Sequence, residues 1–181
     1  MKGLQTLQAE PKVTELIMQR KYSKSIERKP RPRLPGFNYT GHYVYFITIC
    51  CEGENEFFKN ESAIENCIAV LQEMAIKHGV NVIAYCFMPD HLHFLLESGE
   101  TTDMFKFIEL FKQVTSFRHK QATGKRLWQE SFYDEVLKED EIPIEVAKYI
   151  ISNPMRTGLI RDLNAYGYWG SFVYSRDELL K

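Results

Sequence analysis

Residues 80–98 read VNVIAYCFMPDHLHFLLES, two apolar stretches separated by Met88-Pro89-Asp90. Each stretch has the length and composition of a strand, and a proline in the short connection is typical of a turn. The sequence therefore predicts a β-hairpin. Its second strand carries two histidines, His91 and His93, inside an otherwise apolar run, and the remaining sequence must explain them.

The segments around this hairpin predict two more strands and three helices. A strand over residues 42–51 has apolar residues on both faces, which indicates an interior position in a sheet. Apolar spacing predicts amphipathic helices over residues 60–78 and 103–122, a fourth strand follows residue 127, and a third helix runs from residue 143 to Asn153, before Pro154. The order β-α-β-β-α-β-α predicts an α+β fold, a two-layer ferredoxin-like or RRM-like sandwich with helices on one face of an antiparallel sheet.

The chain of 181 residues is 44% hydrophobic, enough for one well-buried domain. We expect the domain at residues 39–165, after a basic, extended arm at residues 1–38 and before a C-terminal tail at residues 166–181. No stretch approaches the roughly 18 apolar residues of a membrane span and none resembles a secretion signal, so we expect a cytoplasmic protein without a membrane partner. The four cysteines have no CxxC spacing and are expected to be reduced core residues.

The charge is distributed unevenly along the chain. Between Gln19 and Arg33, seven lysines and arginines face one glutamate, a net +6, whereas the whole chain has a net charge of −1, which leaves −7 for the remainder. A basic arm of this kind suggests contact with a polyanion, although a solvated leader has the same composition.

His91 and His93 project from the same face of a strand because side chains alternate. Two imidazoles can then converge on one cation, and oxygen donors beside them would suit Mg²⁺ or Mn²⁺. Tyr149 and Asn153 are four residues apart on one helix face, and the helix end favours a cation. Taken singly, each residue also has an ordinary interpretation: hydrogen-bonded surface histidines, a tyrosine at the rim of the core, and an asparagine before a proline.

Five segments together are more specific than any one of them. RLPGFNY, YFITIC, MPDHLHFLL, LWQESFYD and YIISNP, in this order, resemble the pattern of HUH single-tyrosine transposases, most closely the REP-associated tyrosine transposases. The resemblance covers about residues 31–160. It implies that His91 and His93 bind a divalent metal, that Tyr149 is the nucleophile, and that Asn153 takes the place of the third protein ligand, which is glutamine in some relatives.

The resemblance also implies an activity and a partner. The enzyme would cleave and rejoin single-stranded DNA at hairpins or palindromic repeats through a 5′-phosphotyrosine intermediate, as a monomer or a homodimer. The residues proposed to contact DNA phosphates are Arg28, Lys29, Arg31, Arg33, Lys106, Lys112, Arg118, Lys120, Lys125, Arg126 and Arg156. Trp128, Phe132 and Tyr133 could stack on bases or pack in the core.

Two other interpretations remain open at this point. The order of strands and helices also describes RNA-recognition modules, which would make the chain a non-catalytic binder of single-stranded nucleic acid. A structural zinc site using Cys86 with the histidines is a third possibility, although no second cysteine is suitably spaced.

Overall fold

The computed structural model of the protein describes residues 37–138 and 141–181. Its strands and helices are, in chain order, β1 (Val44–Cys50), α1 (Glu61–His78), β2 (Asn81–Met88), β3 (His91–Glu97), α2 (Met104–Thr123), β4 (Tyr133–Val136), α3 (Pro143–Ile151), α4 (Asn153–Arg156), β5 (Trp169–Gly170) and α5 (Arg176–Leu180). The predicted elements are therefore present in the predicted order. The cationic residues of the N-terminal arm, Arg28, Lys29, Arg31 and Arg33, lie outside the described residues.

Local sequence signals set the ends of the two long helices. The Asn60 side chain accepts a hydrogen bond from the backbone N–H of Ser62 at the start of α1, and Gly79 ends that helix in the left-handed conformation, with φ 64°. Asp103 caps α2 in the same way, by accepting from the backbone N–H of Lys106. Short polar side chains at the N-cap and glycine after the last turn satisfy backbone groups that the helix leaves unpaired.

The five strands form one antiparallel sheet in the order β4-β1-β3-β2-β5. The central pair, β1 and β3, is flanked on both sides, so their polar backbone groups are satisfied within the sheet. The edge strand β5 was not predicted. It brings part of the C-terminal segment into the sheet, beside β2.

The sheet separates two hydrophobic clusters. On the first face, α1 and α2 pack against Ile47, Phe87 and Phe94. On the second face, α3 packs against Phe46 and Leu95, together with parts of the C-terminal segment. The α+β class and the antiparallel sheet are confirmed, but the expectation that the helices share one face is wrong: α1 and α2 do, and α3 covers the other face.

All four cysteines are free thiols, as predicted. Within the described residues, no helix combines the length and apolar character that a membrane span requires.

Candidate active site on the second sheet face

Strand pairing places a row of side chains across the second face of the sheet. His93 on β3 pairs with Thr48 on β1 and with Cys86 on β2. The row continues to Tyr133 on β4, which pairs with Thr48, and to Trp169 on β5, which pairs with Cys86. Because paired residues share a face, these five side chains lie on the side that α3 covers.

His91 and His93 face each other within this surface. Their Nε2 atoms are 3.1 Å apart. The outer nitrogens are both engaged: His91 Nδ1 lies 2.6 Å from Asp90 Oδ1, and His93 Nδ1 lies 2.8 Å from Thr48 Oγ1. The two side chains are 6% and 4% exposed, so they are not the half-exposed histidines of the ordinary interpretation.

This network has one consistent assignment of protons for two neutral rings. His91 Nδ1–H donates to the Asp90 carboxylate, which leaves His91 Nε2 as an acceptor for His93 Nε2–H, and the Thr48 hydroxyl donates to His93 Nδ1. Burial, reinforced by His91 and Arg156, holds the pKa of His93 well below its usual range, and the hydrogen bond from His91 lowers the pKa of Asp90. An ionised Asp90 beside a neutral His93 imidazole follows from these shifts.

Tyr149 lies on α3, which contacts β2 and β3, the strands of the hairpin. Its side chain is 6% exposed and belongs to the hydrophobic cluster on the second face, so the tyrosine and the histidines occupy the same side of the sheet. Asn153 opens α4 after a break at Ser152. Its amide nitrogen donates to the carbonyl oxygens of Tyr149 and Ile150, at 3.4 and 3.0 Å.

Arg156 ends α4 and folds back on the tyrosine. Its Cζ atom lies 4.0 Å from the centre of the Tyr149 ring, a cation–π contact. The same guanidinium repels a proton on His93 and contributes to the low pKa of that ring. Of the predicted phosphate contacts that lie within the described residues, Arg156 is the one that the structure brings to the histidine face.

A zinc site with Cys86 is not supported by this arrangement. Cys86 lies before the turn in sequence but shares the face of His93 in the sheet. It is completely buried, and burial raises the pKa of its thiol. Among residues 37–138 and 141–181, no three His, Cys, Asp or Glu side chains are grouped so that they could hold a metal ion. A site with two histidines needs a different third donor.

Lys112, Lys120 and Arg126 line one groove of about 1020 Å³ between α2 and the segment before β4. Its other lining side chains include Phe117, which is 64% exposed, and Phe132, against which the Lys112 ammonium lies at 5.5 Å. Lys112 also donates to the backbone carbonyls of Glu130 and Ser131, and burial lowers its pKa to about 8. The groove therefore combines aromatic surface with three cations and three carboxylates, those of Glu109, Glu130 and Asp134.

Three other predicted DNA contacts are paired elsewhere or buried, although Trp128 also lines this groove. Arg118 points away from this groove, donates to Asn66 Oδ1 and lies 4.0 Å from Glu73. Trp128 is 1% exposed and donates from its indole nitrogen to Thr115, so it is a core residue and cannot stack on a base. Tyr133 is buried on the second sheet face.

The sequence analysis did not identify three residues that contribute to the histidine pair or to the groove. Thr48 lies within the predicted strand over residues 42–51, and a hydroxyl on the strand beside a histidine is a natural partner for it. Asp90 directly precedes His91 and was also left without a role. Phe117 carries a clearer signal, an aromatic residue on the polar side of an amphipathic helix.

Comparisons with known proteins identify the family of this chain. The family model described as transposase IS200-like matches residues 39–153, more than half of the chain, from before β1 to the first residue of α4. An uncharacterized protein of Haemophilus influenzae is 22% identical over 178 residues, covering 76% of this chain and 94% of its own length. A putative REP-associated tyrosine transposase of the same organism is 20% identical over 143 residues, covering 72% of this chain and 81% of its own.

The fold is shared with a solved structure. A REP-associated tyrosine transposase bound to a REP hairpin superposes with a TM-score of 0.63 at 15% identity, covering 77% of this chain and 82% of that protein. The resemblance seen in the five sequence segments is thus confirmed. The family match spans β1 to α3 and the candidate site residues from Thr48 to Asn153, whereas Arg156, β5 and α5 lie outside it. The chain belongs to the IS200-like transposase family.

Proposed function

We propose that the protein is a metal-dependent single-stranded DNA endonuclease and strand transferase that uses Tyr149 as its nucleophile. The observation that supports this most strongly is the pair of imidazoles whose Nε2 atoms meet at 3.1 Å on the sheet face covered by the tyrosine helix. Membership of a transposase family supplies the reaction class. The finer assignments below rest on the site itself.

The donor set fits a divalent metal. His91 and His93 turn one nitrogen each toward a common point, while Asp90 and Thr48 hold the other nitrogen, the usual arrangement of metal-binding histidines. Thr48 can accept as well as donate, so His93 can move its proton to Nδ1 and release Nε2 as a ligand. When bound here, Mg²⁺ or Mn²⁺ would polarise a phosphate and neutralise developing charge.

Asn153 is the proposed third protein ligand. Because its amide nitrogen donates to carbonyl groups of α3, Oδ1 is the atom through which it would bind a cation. Its place at the end of α3 also puts it near the negative end of that helix dipole.

In the proposed reaction, the Tyr149 oxygen attacks the scissile phosphorus. A bond forms between the tyrosine oxygen and phosphorus, and the bond from phosphorus to the 3′ oxygen breaks. The phenol gives up a proton and the leaving 3′ oxygen takes one up, so the step consumes neither protons nor electrons. The product is a 5′-phosphotyrosine with a free 3′-hydroxyl, and attack by another 3′-hydroxyl reverses the step and joins strands.

We infer that the DNA partner is a single strand carrying a hairpin or palindromic repeat. The groove lined by Lys112, Lys120 and Arg126 offers phosphate contacts, with Phe117 and Phe132 as surfaces on which bases could stack. The structure similar in fold is of a transposase bound to a REP hairpin, which supports this choice of partner.

A non-catalytic binder of the RNA-recognition type is less consistent with the structure. Such modules stack bases on an open sheet face. Here the residues of β1 and β3 are buried on both faces, by α1 and α2 on one side and by α3 on the other.

The direct test uses single-stranded oligonucleotides that carry palindromic repeats flanking the coding sequence. Incubation with the protein and Mn²⁺, followed by a denaturing gel, should give cut DNA and a band of DNA linked to protein, and EDTA should abolish both. Binding without either product would contradict the proposed enzyme and favour the binder.

A further inference from the structure

The Arg156 guanidinium is incompletely satisfied. Its Nε and Nη1 atoms are buried from solvent and have no hydrogen-bond partner. Buried polar groups are nearly always paired, and an unpaired guanidinium nitrogen is therefore a site that calls for a ligand. Among the described residues, no carboxylate forms an ion pair with Arg156.

The position of this cation is set by the local fold. Arg156 is seven residues after Tyr149, about two helical turns, so it returns to the tyrosine's side and stacks on its ring at 4.0 Å. Tyr149 and the histidine pair share the second face of the sheet, so the guanidinium lies on the side of the proposed metal ligands. A guanidinium with two buried, unpaired nitrogens thus lies against the proposed nucleophile, on the sheet face that carries the proposed metal ligands.

We propose, building on the proposed function, that Arg156 is a catalytic residue that binds a non-bridging oxygen of the scissile phosphate while Tyr149 attacks. A guanidinium presents several N–H donors in one plane and forms strong, charge-assisted bonds with phosphate. Such a contact strengthens as negative charge develops at phosphorus. It would also satisfy the two buried nitrogens.

Arg156 could instead serve only as packing for the Tyr149 ring. The two roles differ in what they require of the substrate. A phosphate contact needs the negative charge of the scissile linkage, whereas ring packing is indifferent to it.

The test compares a hairpin oligonucleotide with the same oligonucleotide carrying a methylphosphonate, which has no negative charge, at the scissile linkage. With the native phosphate, Arg156→Ala should slow single-turnover cleavage by about 10²–10³-fold, the usual cost of one charge-stabilising donor. With the methylphosphonate, Arg156→Ala and wild type should cleave at similar rates, because the interaction is already absent. Equal slowing on both substrates would overturn the proposal.

Two further variants serve as controls. Arg161→Ala removes an exposed arginine five residues away and should leave both rates unchanged. Arg156→Lys keeps a cation and should recover part of the loss on the native substrate, provided that both Arg156 variants melt as the wild type does. If Arg156→Ala unfolds, the comparison of native and methylphosphonate rates is made with Arg156→Lys, and equal slowing again overturns the contact.

A binding measurement separates this proposal from the proposed function. In Tyr149→Phe, which keeps the ring but cannot attack, addition of the native hairpin should shift the Nε–H resonance of Arg156 in an NMR spectrum, and the methylphosphonate hairpin should shift it less. If wild type fails to cleave, the proposed function is wrong, yet this shift still supports the phosphate contact. An unchanged resonance overturns the contact.

Discussion

Each imidazole of the histidine pair is fixed by a neighbour on its outer nitrogen. Asp90 holds His91 and Thr48 holds His93, so the two Nε2 atoms face each other at 3.1 Å. Burial and the nearby Arg156 keep His93 neutral, which is the form that binds metals.

Thr48→Val tests this arrangement at a single atom, because it replaces the hydroxyl with a methyl group of similar size. His93 Nδ1 then loses its partner, which should cost about 1–3 kcal/mol of stability. We expect the Mn²⁺ concentration for half-maximal cleavage to rise by about 10–100-fold, the usual effect of losing an outer partner of a ligand. Thr48→Ser keeps the hydroxyl and is the matched control.

Cleavage measured over a Mn²⁺ titration gives the answer for both variants. A Thr48→Val protein with the Mn²⁺ dependence of wild type would show that Thr48 does not position His93.

For single residues, the sequence indicated which side chains form the candidate site but not which neighbours they contact. Strand alternation alone predicts that His91 and His93 share a face. The identity of Thr48 as the partner of His93 depends on the register of β1 against β3. That register is not encoded in local spacing, so this contact could not be predicted.

Among the elements, α3 was the least predictable in position. Its apolar stripe shows that it packs on a sheet but does not specify which face. The apolar residues on both sides of β1, Phe46 on one and Ile47 on the other, did require a cover on each face. That requirement conflicts with helices on one face alone, and it was the available signal for the actual three layers.

The groove beside α2 has a pH dependence of its own. Burial, with a contribution from Arg126, lowers the pKa of Lys112 from 10.5 to about 8. Above that pH the folded protein loses this cation, so affinity for single-stranded DNA at low salt should fall as the pH rises through 8. The free energy of unfolding should rise between pH 8 and 10.5. In that range the unfolded chain holds the Lys112 proton and the folded protein does not.

Lys112→Arg distinguishes the effect of Lys112 deprotonation from that of other titrating groups, since arginine stays charged throughout this pH range. DNA affinity measured at both ends of the range should fall less for Lys112→Arg than for wild type. An identical pH dependence in the two proteins would exclude Lys112 from the DNA contact.

In the whole chain, positive charge is concentrated in the N-terminal part of the sequence. Gln19 to Arg33 carries a net +6 in a chain with a net charge of −1. Deleting residues 1–33 should weaken DNA binding more at low salt than at high salt, because phosphate contacts release counterions. The slope of log affinity against log salt should fall by about 0.7 for each phosphate contact to single-stranded DNA that is lost. An unchanged slope would leave the arm without a role in binding.

The central claim is that Tyr149 forms the covalent link to DNA, and Tyr149→Phe tests it most directly because it removes one oxygen and keeps the ring on which Arg156 stacks. With Mn²⁺ and a single-stranded hairpin substrate, this variant should still melt and bind an uncleavable hairpin as wild type does, yet give neither cut DNA nor a protein–DNA band. Tyr133→Phe, which alters a tyrosine on the same sheet face, should give both. A covalent band from Tyr149→Phe would contradict the assignment, and loss of the band in Tyr133→Phe alone would move the nucleophile to β4.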